Sequence, residues 1–510
     1  MIVLTIVLPL FFAVLLLMTT LFKKPSAFTN LIFLMGLFSP TIVFFLFTEP
    51  VQIDMVLGGW ESISGIAIGL NIYNRYFITA ELIVFSLIGL YSILYYNEEP
   101  NRNKFFALIL LMHGGMLGVF MSKDLFNMFV LMELVSVSAF ILVAFSGGER
   151  SQKAAFRYLI FSIVASYIFL LSIGIIYVNT GSLNFEIISQ HIGRSREIDI
   201  AMVLAFSAMI LKAGIFPLHF WLPDVYSESD TPICALLAGM TRRAPIYAML
   251  MFTMYLPTAH LSHILMVIGF SSIFFGFFMA LFQNDVWRLL AYASIGLMGI
   301  VLVGLATGNV LGTTYYVFAH AIISTGLFLT TGTLSDIQKT RNVRDLTYKT
   351  DMLIFSSVVM LSFALGSLAP SLNAYAKSEL LTGMGQIPTI LFQMGFVLAM
   401  LIMLKMNYLL WQDEGEKAPK IPVNLRSFLA AIPATLAIAL GIYYYPVFVW
   451  TDLILLGAAL AAFLTIKQLQ VLEYKGIEKL GSYFRDLGTT NNYYSMVLFA
   501  FISVLLFYTL

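Results

Sequence analysis

The sequence predicts an all-α, polytopic membrane protein of 14–16 transmembrane helices, some of them discontinuous. Three observations predict it. Of 510 residues, 60% are hydrophobic and 11% charged, with a mean hydropathy of +0.91; a soluble domain carries about 25% charged residues. Sixteen apolar runs are long enough to cross a bilayer. In the stretch 211–250, two of these runs meet, and each carries a cation where hydrocarbon is expected: Lys212 in one, Arg242 and Arg243 in the other. An isolated charge at that depth costs at least ~2.5–3.5 kcal/mol, so these groups must face protein, water or a counter-charge.

The runs fall at 2–22, 28–48, 77–96, 105–121, 125–145, 155–178, 198–218, 232–256, 260–282, 286–306, 310–333, 352–383, 388–411, 426–446, 450–467 and 492–510. The first has no basic residue before it and no small-residue cleavage site, and Lys23 and Lys24 follow it, so it reads as a retained span. The turn-rich loop 49–76 is expected to form a short hairpin. The run 450–467 is the weakest span, with an interfacial placement as the alternative. Between 467 and 490, Leu469, Leu472, Ile477, Leu480, Phe484 and Leu487 recur at helical spacing among Lys475, Lys479 and Arg485, the pattern of an amphipathic interfacial helix on the inner face, with a solvated connector as the alternative.

Charge placement orients the chain. Of 28 Lys and Arg, nineteen fall in odd-numbered loops and four (Arg75, Lys123, Arg194, Arg196) in even ones; Lys212, Arg242, Arg243, Lys377 and Lys405 lie inside spans. By the positive-inside rule both termini face outside.

A faint internal repeat is visible. SKDLFNMFVLMEL (122–134) and QNDVWRLLAYASI (283–295) both open a span with Asp, a branched aliphatic and an aromatic. Pro217 and Gly214 interrupt the run that carries Lys212, and five spans later Pro370 interrupts the run that carries Lys377. The expected organisation is therefore spans 1–3 with an outer hairpin in 1–104, five-span units at 105–256 and 260–411, and C-terminal helices in 424–510. Paired broken helices point to a transporter.

Glu133, about eight residues into its span, is the carboxylate placed to neutralise Lys212. A lysine suits proton movement because burial favours release and a nearby carboxylate favours retention. The bland alternative is a static ion pair fixing helix register. His320, central in its span, is either a satisfied core group or a relay between lysines. Arg242 and Arg243 keep their charge at accessible pH and can serve only as fixed countercharges. Glu379, two residues past Lys377, faces another way on a continuing helix. Lys405 lies near the inner end of its span and reads as snorkelling. His113 reads as structural.

The composition also excludes. A net charge of +1 offers no basic surface for nucleic acid. The single cysteine, Cys234, rules out an internal disulfide and a Cys-ligated zinc or iron–sulfur site. No phosphate-binding glycine loop follows a strand pattern. No metal, cofactor or redox chemistry is expected in this chain.

Several stretches together resemble the antiporter-like membrane subunits shared by Mrp-type sodium/proton antiporters, respiratory complex I and membrane-bound hydrogenase or sulfane sulfur reductase complexes. They run from about residue 121 to 381: LFNMFVLMELVSVSAF, LKAGIFPLHFWLPD, TPICALLAGMTRRAPIY, DVWRLLAYASIGLMG, YYVFAHAIISTGLFL and PSLNAYAKSELL. The resemblance implies two inverted five-helix repeats around a polar axis that conducts protons. It implies a proton pathway through Glu133, Lys212, Arg243, His320 and Lys377, with Arg242, Glu379 and Lys405 as secondary candidates. Arg243 stands where the family usually has lysine, and Leu297 where many relatives have a polar residue. Both departures bear on whether the chain conducts. The segment 450–510 exceeds the shortest members and reads as a brace for a neighbouring subunit.

These observations lead to a proton-translocating subunit of a redox-driven, energy-converting membrane complex in a prokaryotic cell membrane. Its expected partners are other membrane subunits, including further antiporter-like ones, and lipid. A peripheral redox module would hold any iron–sulfur centres. The alternatives are a D-like component of a stand-alone Mrp-type antiporter and a non-conducting structural subunit.

Overall fold

The long apolar runs fold as helices because, at membrane depth, only intra-segment hydrogen bonds satisfy the backbone. The computed structural model describes residues 2–20, 26–47, 52–61, 63, 65–348, 351–411, 424–445 and 449–468. The expected interfacial helix beyond 468 and the run 492–510 lie outside the described residues. Within them, eleven helices are long and apolar enough to cross a membrane, and two shorter apolar helices accompany them.

These helices form two compact units. Among the described residues, the first takes in the chain up to Ala213 and Glu228–His260; the second takes in Gly214–Ser227 and the residues from Leu261 to Gln468. The first unit opens with α1 (Val3–Thr19) and α2 (Ser26–Phe47). The expected hairpin follows: β1 (Ile53–Val56) pairs antiparallel with β2 (Ala67–Leu70), Ile53 opposite Leu70 and Val56 opposite Ala67. Then come α3 (Ile72–Tyr95), α4 (Arg102–Met121), α5 (Leu125–Phe145), α6 (Gly148–Thr180), α7 (Phe185–His191) and α8 (Arg196–Ala213). The second unit contains the short α9 (Leu222–Ser227). The first unit resumes with α10 (Thr231–Leu236), a π-helical turn (Leu237–Thr241) and α11 (Arg243–Tyr255).

Among the described residues, the second unit continues with α12 (Ser262–Leu281), α13 (Val286–Ala306), α14 (Val310–Gln338), α15 (Met352–Leu365), α16 (Leu372–Leu381), α17 (Gln386–Trp411), α18 (Leu425–Tyr444) and α19 (Trp450–Gln468). Pairing α12 with α13 depends on small residues. A Cβ on Gly276 would lie 2.4 Å from the Gly296 nitrogen, and one on Gly299 2.5 Å from the Gly269 oxygen. The two backbones touch, as lipid-embedded helices do where glycines face each other.

Among the described residues, three of the expected runs are interrupted. The run 198–218 stops at Ala213, and Gly214 then adopts φ +62°. The run 352–383 divides into α15 and α16. The run 232–256 is broken by the π turn, for which Pro245 supplies a reason: lacking an N–H, it cannot bond the Thr241 carbonyl four residues back. The run 450–467, by contrast, is a full helix, α19.

The sequence repeat has a local structural meaning. Asp124 caps α5, accepting from the Asn127 N–H at 2.7 Å. Asp285 caps α13, accepting from the Trp287 and Arg288 N–H groups at 2.9 Å each. Each aspartate also makes a single antiparallel bridge, Asp124 to Asn184 and Asp285 to Asn342. The shared Asp–aliphatic–aromatic opening is thus a helix start used twice.

Candidate functional site

In the first unit, Lys212 lies in the last turn of α8, where the helix dipole favours a cation. Its Nζ donates to Glu133 Oε1 at 2.9 Å, Ser136 Oγ at 3.2 Å and Ser162 Oγ at 3.3 Å. Ser166 hydrogen-bonds the same carboxylate oxygen. Three helices, α5, α6 and α8, therefore converge on one amine. The Lys212 side chain is 6% exposed and that of Glu133 30%. The pair expected from the sequence is formed, and its carboxylate end reaches the surface of this chain.

Arg242 and Arg243 follow the π turn, both buried. The Arg243 guanidinium donates to the Ala238 carbonyl, inside that turn. Turns of this kind recur at functional sites, since they re-aim side chains without ending the helix.

The second unit holds a second ion pair. Lys377 on α16 meets Asp452 on α19, Nζ to Oδ1 at 2.5 Å, with both residues buried. Lys377 Nζ also donates to the Ser367 carbonyl at 2.8 Å and lies 5.5 Å from the Phe396 ring centroid. Asp452 Oδ2 accepts from the Ala369 N–H at 3.1 Å. The break between α15 and α16 thus supplies a carbonyl to the cation and an N–H to the anion. Glu379, as expected, is not the partner. Asp452 was absent from the sequence candidates.

His320 is buried on α14, which packs against α16, and its ring stacks on Tyr316 with centroids 6.3 Å apart. Lys405 corrects an expectation. It does not snorkel: it is buried, donating to the carbonyls of Leu281 at 2.6 Å and Gln283 at 2.9 Å. It caps the C-terminal end of α12, where carbonyls lack intrahelical partners. Leu297 is buried in α13.

A family model described as NADH:quinone oxidoreductase/Mrp antiporter, TM, matches residues 122–403, more than half of the chain. The chain belongs to this family. The N component of the NADH-quinone oxidoreductase of Desulforudis audaxviator is 36% identical over 55% of this chain and 59% of its own length. Less than two thirds of that relative is therefore spanned. The D component of the Na(+)/H(+) antiporter of Bacillus subtilis is 29% identical over 65% of this chain and 70% of its own. Two solved structures share the fold. A chain of an archaeal membrane-bound sulfane sulfur reductase superposes with TM-score 0.80 at 22% identity, covering 91% of this chain and 99% of that one. A chain of the Mrp complex from Dietzia sp. DQ12-45-1b gives TM-score 0.77 at 19% identity, covering 90% and 96%. The matched region of this antiporter-family member contains Glu133, Lys212, Arg242, Arg243, His320, Lys377 and Glu379. Lys405 and Asp452 lie beyond it.

Proposed function

We propose that this chain is a proton-translocating, antiporter-like subunit of a multisubunit, redox-driven membrane complex, sitting in a prokaryotic cell membrane with both termini outside. The observation that carries the reading is the Glu133–Lys212 pair, an amine held at 2.9 Å from a carboxylate and by two serine hydroxyls inside the family region. A carboxylate beside an ammonium favours the charged lysine, and its withdrawal favours release of the proton. Movement of Glu133 relative to Lys212 is then the loading and unloading step. Lys377 with Asp452 forms a second such station, His320 lies on the helix packed against it, and Arg242 and Arg243 are fixed charges. A carboxylate 30% exposed at mid-span is costly against lipid, which supports a neighbouring membrane subunit covering α5. Iron–sulfur or other redox centres would belong to a peripheral module.

The test is Lys212→Ala in the complete complex. Proton translocation into membrane vesicles is expected to be lost while the subunits still assemble, and unchanged translocation refutes the reading. The likeness to the Bacillus antiporter component and to the Dietzia Mrp complex favours a second reading, a stand-alone sodium/proton antiporter. Co-purification separates them: iron–sulfur proteins accompany the chain in the first case and membrane subunits alone in the second.

A further inference from the structure

Near the middle of α3 and α4, outside both ion pairs, Glu81 contacts the Nδ1 atom of His113. Both side chains are 0% exposed. The Phe85 ring stacks on the imidazole, centroids 4.7 Å apart and planes 24° from parallel. The outer atoms of the pair, Glu81 Oε2 and His113 Nε2, make no hydrogen bond among the described residues.

A carboxyl and an imidazole in contact in an apolar site hold themselves neutral as a unit, since a net charge there is expensive. Neutrality fixes the proton inventory at two, whether as carboxylic acid with neutral imidazole or as carboxylate with imidazolium. A static helix staple would be expected to satisfy its outer atoms as well, because each buried polar atom left unpaired costs about 1–3 kcal/mol. Two such atoms at opposite ends of one hydrogen bond are the arrangement of a relay, with one end for entry and the other for exit. The α1 and α2 helices packed on α3 and α4 bring no ionisable side chain, whereas the other neighbouring helices carry Glu133, Arg243, Tyr247, Tyr255 and Cys234. The ionisable groups nearest the pair in the fold are therefore on α5, α10 and α11, and none is on α1 or α2.

We propose that Glu81 and His113 form a second proton-carrying site, a carboxyl–imidazole relay whose ligand is a proton delivered by water. One turn balances as follows. A proton arrives at Nε2, the Nδ1 proton passes to Oε1, and the proton on Oε2 leaves; the pair is neutral before and after, and tautomer exchange resets it. The relay rests on the proton-translocating reading above.

Glu81→Gln and His113→Asn keep shape and hydrogen bonding but remove the ability to pass a proton. In vesicles holding the complete complex, each is expected to lower proton translocation on the order of a hundredfold, with assembly intact and partial recovery in Glu81→Asp. Translocation at the native rate in either assembled variant overturns the relay. The apolar pair Glu81→Leu/His113→Phe removes both polar groups together; if it assembles and translocates normally, the relay is again overturned. Failure of the isosteric variants to assemble would make the pair structural and also overturn the relay. Lys212→Ala, run in parallel, separates the two levels. Unchanged translocation there sinks the parent reading, whereas loss there with normal Glu81→Gln sinks only the relay.

Discussion

Replacing Asp452 by asparagine isolates the energetic role of the second ion pair. The amide oxygen can still accept from the Ala369 N–H, a bond now 3.1 Å long, so the change removes charge and little else. At 2.5 Å and an effective dielectric near 20, the gross Coulomb attraction is about 7 kcal/mol. Desolvation of both groups offsets much of it, and truncating one partner of a buried pair typically costs ~3–5 kcal/mol. Lys377 would keep the Ser367 carbonyl and the Phe396 face, the latter worth ~0.5–2 kcal/mol. The expected loss is therefore near the lower end, about 3 kcal/mol, or roughly a hundredfold in the equilibrium that keeps α19 docked in its unit. Thermal unfolding of the purified complex and limited proteolysis near α19 both read that equilibrium. Lys377→Met closes the cycle: the double variant should recover most of the loss, with a coupling of at least ~2 kcal/mol. Additivity of the two single variants within ~0.5 kcal/mol would show that the groups are independent and refute the reasoning.

Lys405→Met should lower thermal stability by about 2–3 kcal/mol, since two carbonyls at the end of α12 lose a charged donor. Translocation per assembled complex should stay at the native rate, and a selective loss of translocation would instead place Lys405 in the conducting path. Lys123, in the connection between α4 and α5, gives a pH signature. Burial works against its ammonium, but Asp54 and Glu186, the latter at 2.7 Å, outweigh it and raise its pKa above the ordinary 10.5. A group whose folded pKa is raised contributes stability that is full below its unfolded pKa and lost as pH rises through the folded one. The melting-temperature gap between the native protein and Lys123→Met should therefore hold steady up to about pH 10 and close above it. A gap that widens with rising pH would reverse the sign of the argument.

The first ion pair is legible because both members interrupt long apolar runs, and a charge in hydrocarbon demands an explanation. The same signal was present at Glu81, one acid within an apolar span, but formal charge hid its partner, since histidine counts as neutral. His113, taken alone, reads as structural. At Lys405 the sequence misleads for a different reason. Position along a span distinguishes a terminal cation from a central one, but it says nothing about which neighbouring helix ends beside it. The π turn left a trace only in Pro245, whose effect falls four residues upstream, at a site where a continuous apolar run conceals it.

Asp452 shows where local pattern stops being informative. Glu133 precedes its lysine by 79 residues, whereas Asp452 follows Lys377 by 75. The two amines draw their counter-charges from opposite chain directions, and no spacing rule connects them. Elimination would have helped: once Glu379 is turned away by helical geometry, a buried Lys377 still requires an anion, and Asp452 is the acid at the start of the next weakly apolar span. The consequence reaches beyond the missed residue. The family region, 122–403, contains both members of the Glu133–Lys212 pair but only the cation of the second. The C-terminal segment, which the sequence presents as a brace, supplies the charge that makes Lys377 tolerable in the interior of its unit. A helix that contributes a buried counter-ion cannot shift without changing the electrostatics of the lysine it faces, so α19 is coupled to Lys377 whether or not it also braces a neighbour.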